Sequence, residues 1–372
     1  MTEDMRKKVV LVVGAGATVA DVASRSKRSR PPLDKGFFSI ARSTDKTITG
    51  RIASYIKGIY GMDIYDAGND SLEKIMAIIY TDIFDPNLKE GALSIFRALI
   101  RLFNLRLAAT TNDIRPTQQR YLYRIITEFL QSGVRPEDIT IITFNQDIQI
   151  EKILLNINSK SKYKHCGNVF TFPGCYYLPI EPSNITYPVG PKSGGPRDDV
   201  FPTDKPDLRE GVAVLKLHGS LNWYSCHSKT NVTPNTMFKP NRTIHLTVRM
   251  SINPVMKMQS KPRFQYTIPV IVPPVTHKSG ILHDDVKQLW SIAEERIRWA
   301  NEAVIFGYSC PVIDFESSNF IQRSLRGNPL CKKISIIDPD PNILSRYIKL
   351  IEPREIHYYP YANDYLDRIQ RL

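Results

Sequence analysis

Short apolar runs, each stopped by small or polar residues, punctuate this chain. The first, Val9–Val13 (VVLVV), joins four β-branched valines and a leucine and is bounded by glycine. Such a run reads as a strand buried on both faces. Residues 138–142 (DITII), 212–217 (VAVLKL), 269–272 (PVIV), 303–306 (AVIF) and 333–337 (KISII) read as further strands. From about residue 47 to 130 the period changes. Leu72, Ile75, Met76 and Ile79 sit at i, i+3, i+4 and i+7 behind a capping Asp70-Ser71, and Ile95, Leu99, Leu102 and Phe103 follow a similar spacing. Tyr121, Ile125 and Phe129 continue it, which predicts an inserted layer of helices packed stripe to stripe. Another helix starts at 148–155, and 282–300 carries Leu289, Ile292, Ala293 and Ile297 on one side.

The pattern predicts an α/β fold: a Rossmann-like parallel sheet flanked by helices, with an inserted helical layer and loop-rich insertions. Residues 1–45 open the sheet, 46–134 form the helical layer, and 135–225 continue the core around a loop near 160–210 rich in Pro, Gly, Lys and Tyr. Residues 226–265 are a basic insertion and 266–372 complete the core. Residues 24–32 (SRSKRSRPP) interrupt the expected strand–helix–strand succession with a basic, proline-broken loop.

Candidate chemistry sits at the strand ends. Gly14 and Gly16 permit a tight turn with room for a phosphate beside the backbone. The third position of the dinucleotide fingerprint is Val19, so the same glycines serve equally to turn the chain. Thr143-Phe144-Asn145-Gln146-Asp147 follows the second strand, where open α/β sheets bind ligands, although Asn145 and Asp147 also suit helix caps. His218 beside Gly219 is placed for acid–base work; a lone histidine also serves structure. Gly307-Tyr308-Ser309 is another glycine-bearing turn. Asp338 suits a ribose hydroxyl or a turn built from Asp and Pro. Five such ends together describe a crevice suited to a dinucleotide.

Composition narrows the class. With 372 residues, 42% hydrophobic and 10% aromatic, the chain can bury a sizeable core. A net charge of +13 points to an acidic partner surface, a polyanion, or solubility alone. Between Cys226 and Gln265 there are seven Lys and Arg residues and no acidic one. That segment reads as a solvated insertion, or as a docking face for nucleic acid or an acidic partner, with only Phe238 and Phe264 for base stacking. The five cysteines, Cys166, Cys175, Cys226, Cys310 and Cys331, form no C-x-x-C pair, so reduced thiols are expected and no metal. No cleavable leader and no membrane span is expected, and the chain reads as cytoplasmic.

The residues Gly14-Ala15-Gly16-Ala17-Thr18, Thr143-Phe144-Asn145-Gln146-Asp147, Leu217-His218-Gly219 and Gly307-Tyr308-Ser309, in that order, resemble the sirtuin (silent information regulator) superfamily. The longer stretches 217–223 (LHGSLNW) and 307–314 (GYSCPVID) look like the sirtuin-like domains of bacterial antiphage defence. The resemblance covers the sheet-forming segments, about half the chain. It implies NAD+ as substrate, with Asn145 orienting a water or the ribose and His218 as general base. Gly14, Ala15, Gly16, Thr18, Thr143, Asp147, Gly307, Tyr308 and Ser309 would line the NAD+ site, with Asp338 as the candidate on the last turn. Asp34 and Phe37 match the family's Pro-Asp-Phe-Arg element loosely. The four-cysteine zinc module of deacylating sirtuins is missing. The expectation is therefore an NAD+ glycohydrolase that depletes NAD+ in antiphage defence by abortive infection. Its control would come through homo-oligomer assembly, nucleic acid or a hexameric HerA-type ATPase partner. A protein deacylase, an ADP-ribosyltransferase and a non-catalytic NAD or ADP-ribose sensor are the alternatives.

Overall fold

A computed structural model describes residues 6–22, 35–66, 68–113, 120–180, 185–186, 210–227, 244–247, 266–272, 284–311, 314–351 and 355–371. The strands are β1 (Val9–Val13), β2 (Ile139–Thr143), β3 (Ile185–Thr186), β4 (Ala213–Lys216), β5 (Gly219–His227), β6 (His245–Thr247), β7 (Tyr266–Ile271), β8 (Glu302–Phe306), β9 (Lys333–Ile337) and β10 (Glu355–Tyr359). The helices are α1 (Ala15–Val22), α2 (Phe37–Ala41), α3 (Lys46–Tyr60), α4 (Leu72–Asp82), α5 (Lys89–Asp113), α6 (Tyr121–Gln131), α7 (Gln149–Asn158), α8 (Asp284–Arg298), α9 (Phe315–Arg326), α10 (Asn342–Ile351) and α11 (Ala362–Ile369).

Six strands form one parallel sheet in the order β10-β9-β8-β1-β2-β4. Counted along the chain within this sheet, that is the 3-2-1-4-5-6 order of doubly wound dinucleotide-binding folds. The β-branched runs of β1, β2 and β8 are buried along their whole length, as strands covered on both faces must be. Helix α9 packs against α8 and α10, with α8 also against β4; α6 packs against α1, α7 and α11.

The helical layer consists of α2 to α5, in mutual contact through α2·α3, α2·α5, α3·α5 and α4·α5. Helix α6 instead joins α1 and α7, so the span 46–134 divides between the two layers. Ser71 caps α4, accepting from Lys74 N at 3.1 Å. Asp70 turns the other way and serves α2, accepting from Phe38 N at 2.7 Å and Ser39 N at 3.1 Å.

A second sheet, in the order β3-β6-β5-β7, has no counterpart in the sequence reading. The run 269–272 belongs here, antiparallel to β5, and not to the parallel sheet. The switch happens at Gly219, whose φ of 76° lets the chain leave β4 and enter β5 directly; a Cβ there would lie on the Val270 carbonyl. The basic segment contributes β6, whose Leu246 is buried opposite Trp223, so part of it is structure and not solvated loop. Its seven Lys and Arg residues, Phe238 and Phe264 lie outside the described residues. Among the described residues no helix is long and apolar enough to cross a membrane.

Candidate functional site

The six parallel strands reach one level at their carboxyl ends. Lys216, Thr143, Val13, Phe306, Ile337 and Tyr359 pair neighbour to neighbour as a single row. Gly14, Asn145, His218, Gly307 and Asp338 follow that row, so strand register alone puts five separate chain segments on one edge.

At its centre the turn after β1 is stitched to the turn after β8. Gly14 N donates to the Phe306 carbonyl and Gly16 N to the Gly307 carbonyl, each at 3.0 Å. Gly307 has φ 61°, and a Cβ there would lie 2.2 Å from Ala17 N; at Gly14 it would lie 2.3 Å from the Gly307 carbonyl oxygen. The space beside these glycines is therefore filled by backbone. On the side where a Cβ would stand, these glycines let two turns touch. Gly307 N in turn donates to the Ile337 carbonyl at 2.9 Å, which ties in the β9 end.

On the β2 side, Asn145 Nδ2 donates to Thr18 Oγ1 at 3.2 Å, and Thr18 Oγ1 donates to Asp147 Oδ2 at 3.3 Å. Thr143 Oγ1 bridges the same region, donating to the Val13 carbonyl at 2.8 Å and accepting from Asn145 N at 3.0 Å. All four side chains are buried. Asp147 Oδ1 also accepts from Gln149 N at 2.9 Å, the helix-capping role that residue type also suits. Thr18 borders a small recess that Val13, Ala17, Asp21, Arg120 and Gln149 help to line.

Beneath this relay lies a buried charge cluster that sequence reasoning missed. Lys216 and Glu151 are fully buried and meet at 2.9 Å, and Lys216 Nζ also donates to the Asp147 carbonyl. Tyr176 OH donates to the same Glu151 oxygen at 2.7 Å and accepts from Asn222 Nδ2 at 3.0 Å. Lys152 Nζ donates to the Thr111 carbonyl at 2.6 Å. Burial pushes the Asp147 carboxyl up, an effect that Lys216 opposes. Burial also pushes Lys152 down to about 8, against the attraction of Asp147 and Glu151. Two acids and two lysines leave the cluster with little net charge, the condition under which charges tolerate burial.

His218, carried just past β4, lies in an aromatic pocket. Its ring centroid is 5.0 Å from Phe144, edge to face, and 6.3 Å from Trp290. Phe144 stacks on Tyr308 at 4.6 Å, so one ring links the end of β2 to the ends of β4 and β8. Trp290 Nε1 donates to the Leu217 carbonyl at 3.1 Å, which fixes the indole against the strand that delivers the histidine. His218 Nε2 is 3.1 Å from Ser317 Oγ and 3.6 Å from Asp314 Oδ2, on the first turn of α9.

The remaining predicted residues scatter. Ala15 opens α1. Tyr308 is buried, and its carbonyl accepts from Tyr347 OH at 3.2 Å. Ser309 is exposed, and its carbonyl accepts from Arg346 of α10 at 2.6 Å. Asp338 turns back on its own loop, accepting from Asp340 N at 2.9 Å, with burial pushing its carboxyl up. Phe37 packs in the helical layer against Phe38 and Phe103. Asp34 lies outside the described residues. Sequence reasoning did not single out Phe144, Trp290, Ser317, Lys216 or Glu151. Among the described residues no group of three or more His, Cys, Asp or Glu side chains is arranged to hold a metal.

No protein-family model matches the chain. No curated protein matches it either. Twenty-four solved chains do. A Sir2 homologue in complex with NAD aligns at 14% identity over 99% of this chain and 90% of its own, with a TM-score of 0.44. A Sir2 homologue mutant in complex with ADP-ribose aligns at 14% identity over 100% and 96%, with a TM-score of 0.43. Another such mutant, in complex with 2'-O-acetyl ADP-ribose, aligns at 13% identity over 100% and 96%, with a TM-score of 0.42.

Proposed function

We propose that this protein is an NAD+ glycohydrolase. The observation that carries the reading is the single row of strand ends, which gathers Asn145, Thr18, Asp147 and His218 at the edge where doubly wound sheets hold dinucleotides. In the reaction the bond between the nicotinamide nitrogen and ribose C1' breaks, and the electron pair leaves with nicotinamide. Water then forms a bond to the oxocarbenium-like C1' and loses a proton to His218. The products are nicotinamide, ADP-ribose and a proton. The Asn145 amide is held by Thr18, which is held by Asp147, so it is oriented before substrate arrives. The aromatic walls around His218 keep bulk water from the base. Within this reading the setting is bacterial antiphage defence, with NAD+ depletion restrained by assembly or by a hexameric ATPase partner.

The test is nicotinamide release from NAD+ by the purified protein. Asn145→Ala and His218→Ala are each expected to lower the rate by about 10²–10⁴-fold. Release that survives both substitutions would remove the chemistry from this edge. Bound NAD+ without release would leave a sensing site.

A further inference from the structure

The first turn of α9 does something to His218 that the reading above leaves unused. Asp314, Ser317 and His218 are all buried, and the two α9 residues approach the same ring nitrogen. Serine, histidine and aspartate are the members of a hydrolase triad, yet that machinery needs serine and carboxylate on opposite nitrogens of the ring. Ser317 is fully buried, which also denies its hydroxyl an external substrate. The arrangement therefore acts on the histidine.

An ionised carboxylate only accepts hydrogen bonds, so the proton that suits Asp314 is the one on Nε2. Phe144 and Trp290 crowd the ring, and Phe320 packs on Trp290 at 4.9 Å. Water does little there to dilute the attraction. The carboxylate is itself held, because Asp314 caps α9 by accepting from Ser317 N at 3.2 Å. Among the described residues, the other titratable groups nearby are Tyr308, Lys287, Glu316 and Arg323. Tyr308 is held neutral, pushed well above its ordinary range by burial and secondarily by Asp314. Lys287, Glu316 and Arg323 line an open groove beyond Trp290, where solvent screens them.

We propose that Asp314 is a positioning residue for His218: it keeps the proton of the neutral ring on Nε2, makes Nδ1 the basic nitrogen, and favours the protonated ring. Ser317 steadies the same edge. The assignment rests on His218 being the base of the proposed reaction, but its physical content can be measured without that reaction.

The experiment is long-range proton–nitrogen NMR on the full chain labelled at its seven histidines, with the His218 signals identified by their loss in His218→Gln. The wild type is expected to show the Nε2–H tautomer at high pH. In Asp314→Asn, which retains a capping side chain but loses the charge, the His218 titration midpoint is expected to fall by about one unit or more. An Nδ1–H tautomer in the wild type overturns the proposal without any variant, and so does an unchanged midpoint in Asp314→Asn. NAD+ cleavage across pH forms a separate arm, in which the acid limb of Asp314→Asn moves to lower pH with the midpoint. A wild type that releases no nicotinamide would sink the glycohydrolase reading, while the NMR titration would still decide the Asp314 pairing.

Discussion

At Gly307 one hydrogen atom decides whether two turns can touch. Placing a methyl there forces a left-handed conformation on an L-residue and drives it into the Ala17 amide. Gly307→Ala is expected to cost about 3 kcal/mol, about 1 for the backbone and the rest for crowding. A thermal unfolding midpoint equal to that of the wild type would contradict the locked turns. The buried pair makes a second prediction at this scale. Glu151→Gln leaves Lys216 charged in a dry site and is expected to lose about 3–5 kcal/mol in urea denaturation, part of which Lys216→Met restores in the double variant. Neither effect was legible in the sequence. The glycines were readable as turn residues, but what they press against lies almost 300 positions away. Lys216 sat inside an apolar run, and its partner is 65 residues upstream. Single residues announce their conformational needs and conceal their partners.

Elements were more legible than contacts, for physical reasons. The runs at 138–142, 212–217, 303–306 and 333–337 emerge as β2, β4, β8 and β9 within a residue or two, because strands covered on both faces must be continuously apolar. Strand β10 (EIHYY) lies at the sheet edge, exposed or half-buried along most of its length, and so carries no such run. Strand β6 is three residues in a polar, basic stretch. Helix α6 starts without a side-chain cap from its own N-cap residue, Arg120, and Asp21 at the end of α1 accepts from Tyr121 N at 2.7 Å instead. Burial raises that carboxyl to about 6. The unfolded chain gives up the proton near pH 4 and the folded chain near pH 6. In that window the folded state binds more protons, so stability falls as pH rises, and above it the whole penalty is present. Asp21→Asn keeps the acceptor and removes the charge. It is expected to stabilise the protein at pH 7 by on the order of 2 kcal/mol, an advantage that fades towards pH 4, as denaturation at the two pH values would show.

For the molecule as a whole, the sheet order has a consequence for synthesis. Strand β1 is among the first residues made, yet its neighbours are β2, which ends at Thr143, and β8, which ends at Phe306. The Gly14 and Gly16 turn is fastened to the end of β8 only when Gly307 arrives, and the Gly307 amide is fastened in turn by Ile337. Pairings of such long sequence separation form late and slowly. A ribosome-bound chain short of Gly307 therefore has the strands that carry Asn145 and His218, but neither the turn that fastens Gly14 and Gly16 nor the first turn of α9 that holds His218. Under the proposed glycohydrolase reading, a chain at that stage of translation is expected to release no nicotinamide from NAD+, and so is a prematurely terminated fragment. In that reading topology times the activity, which is complete only with the last third of the chain.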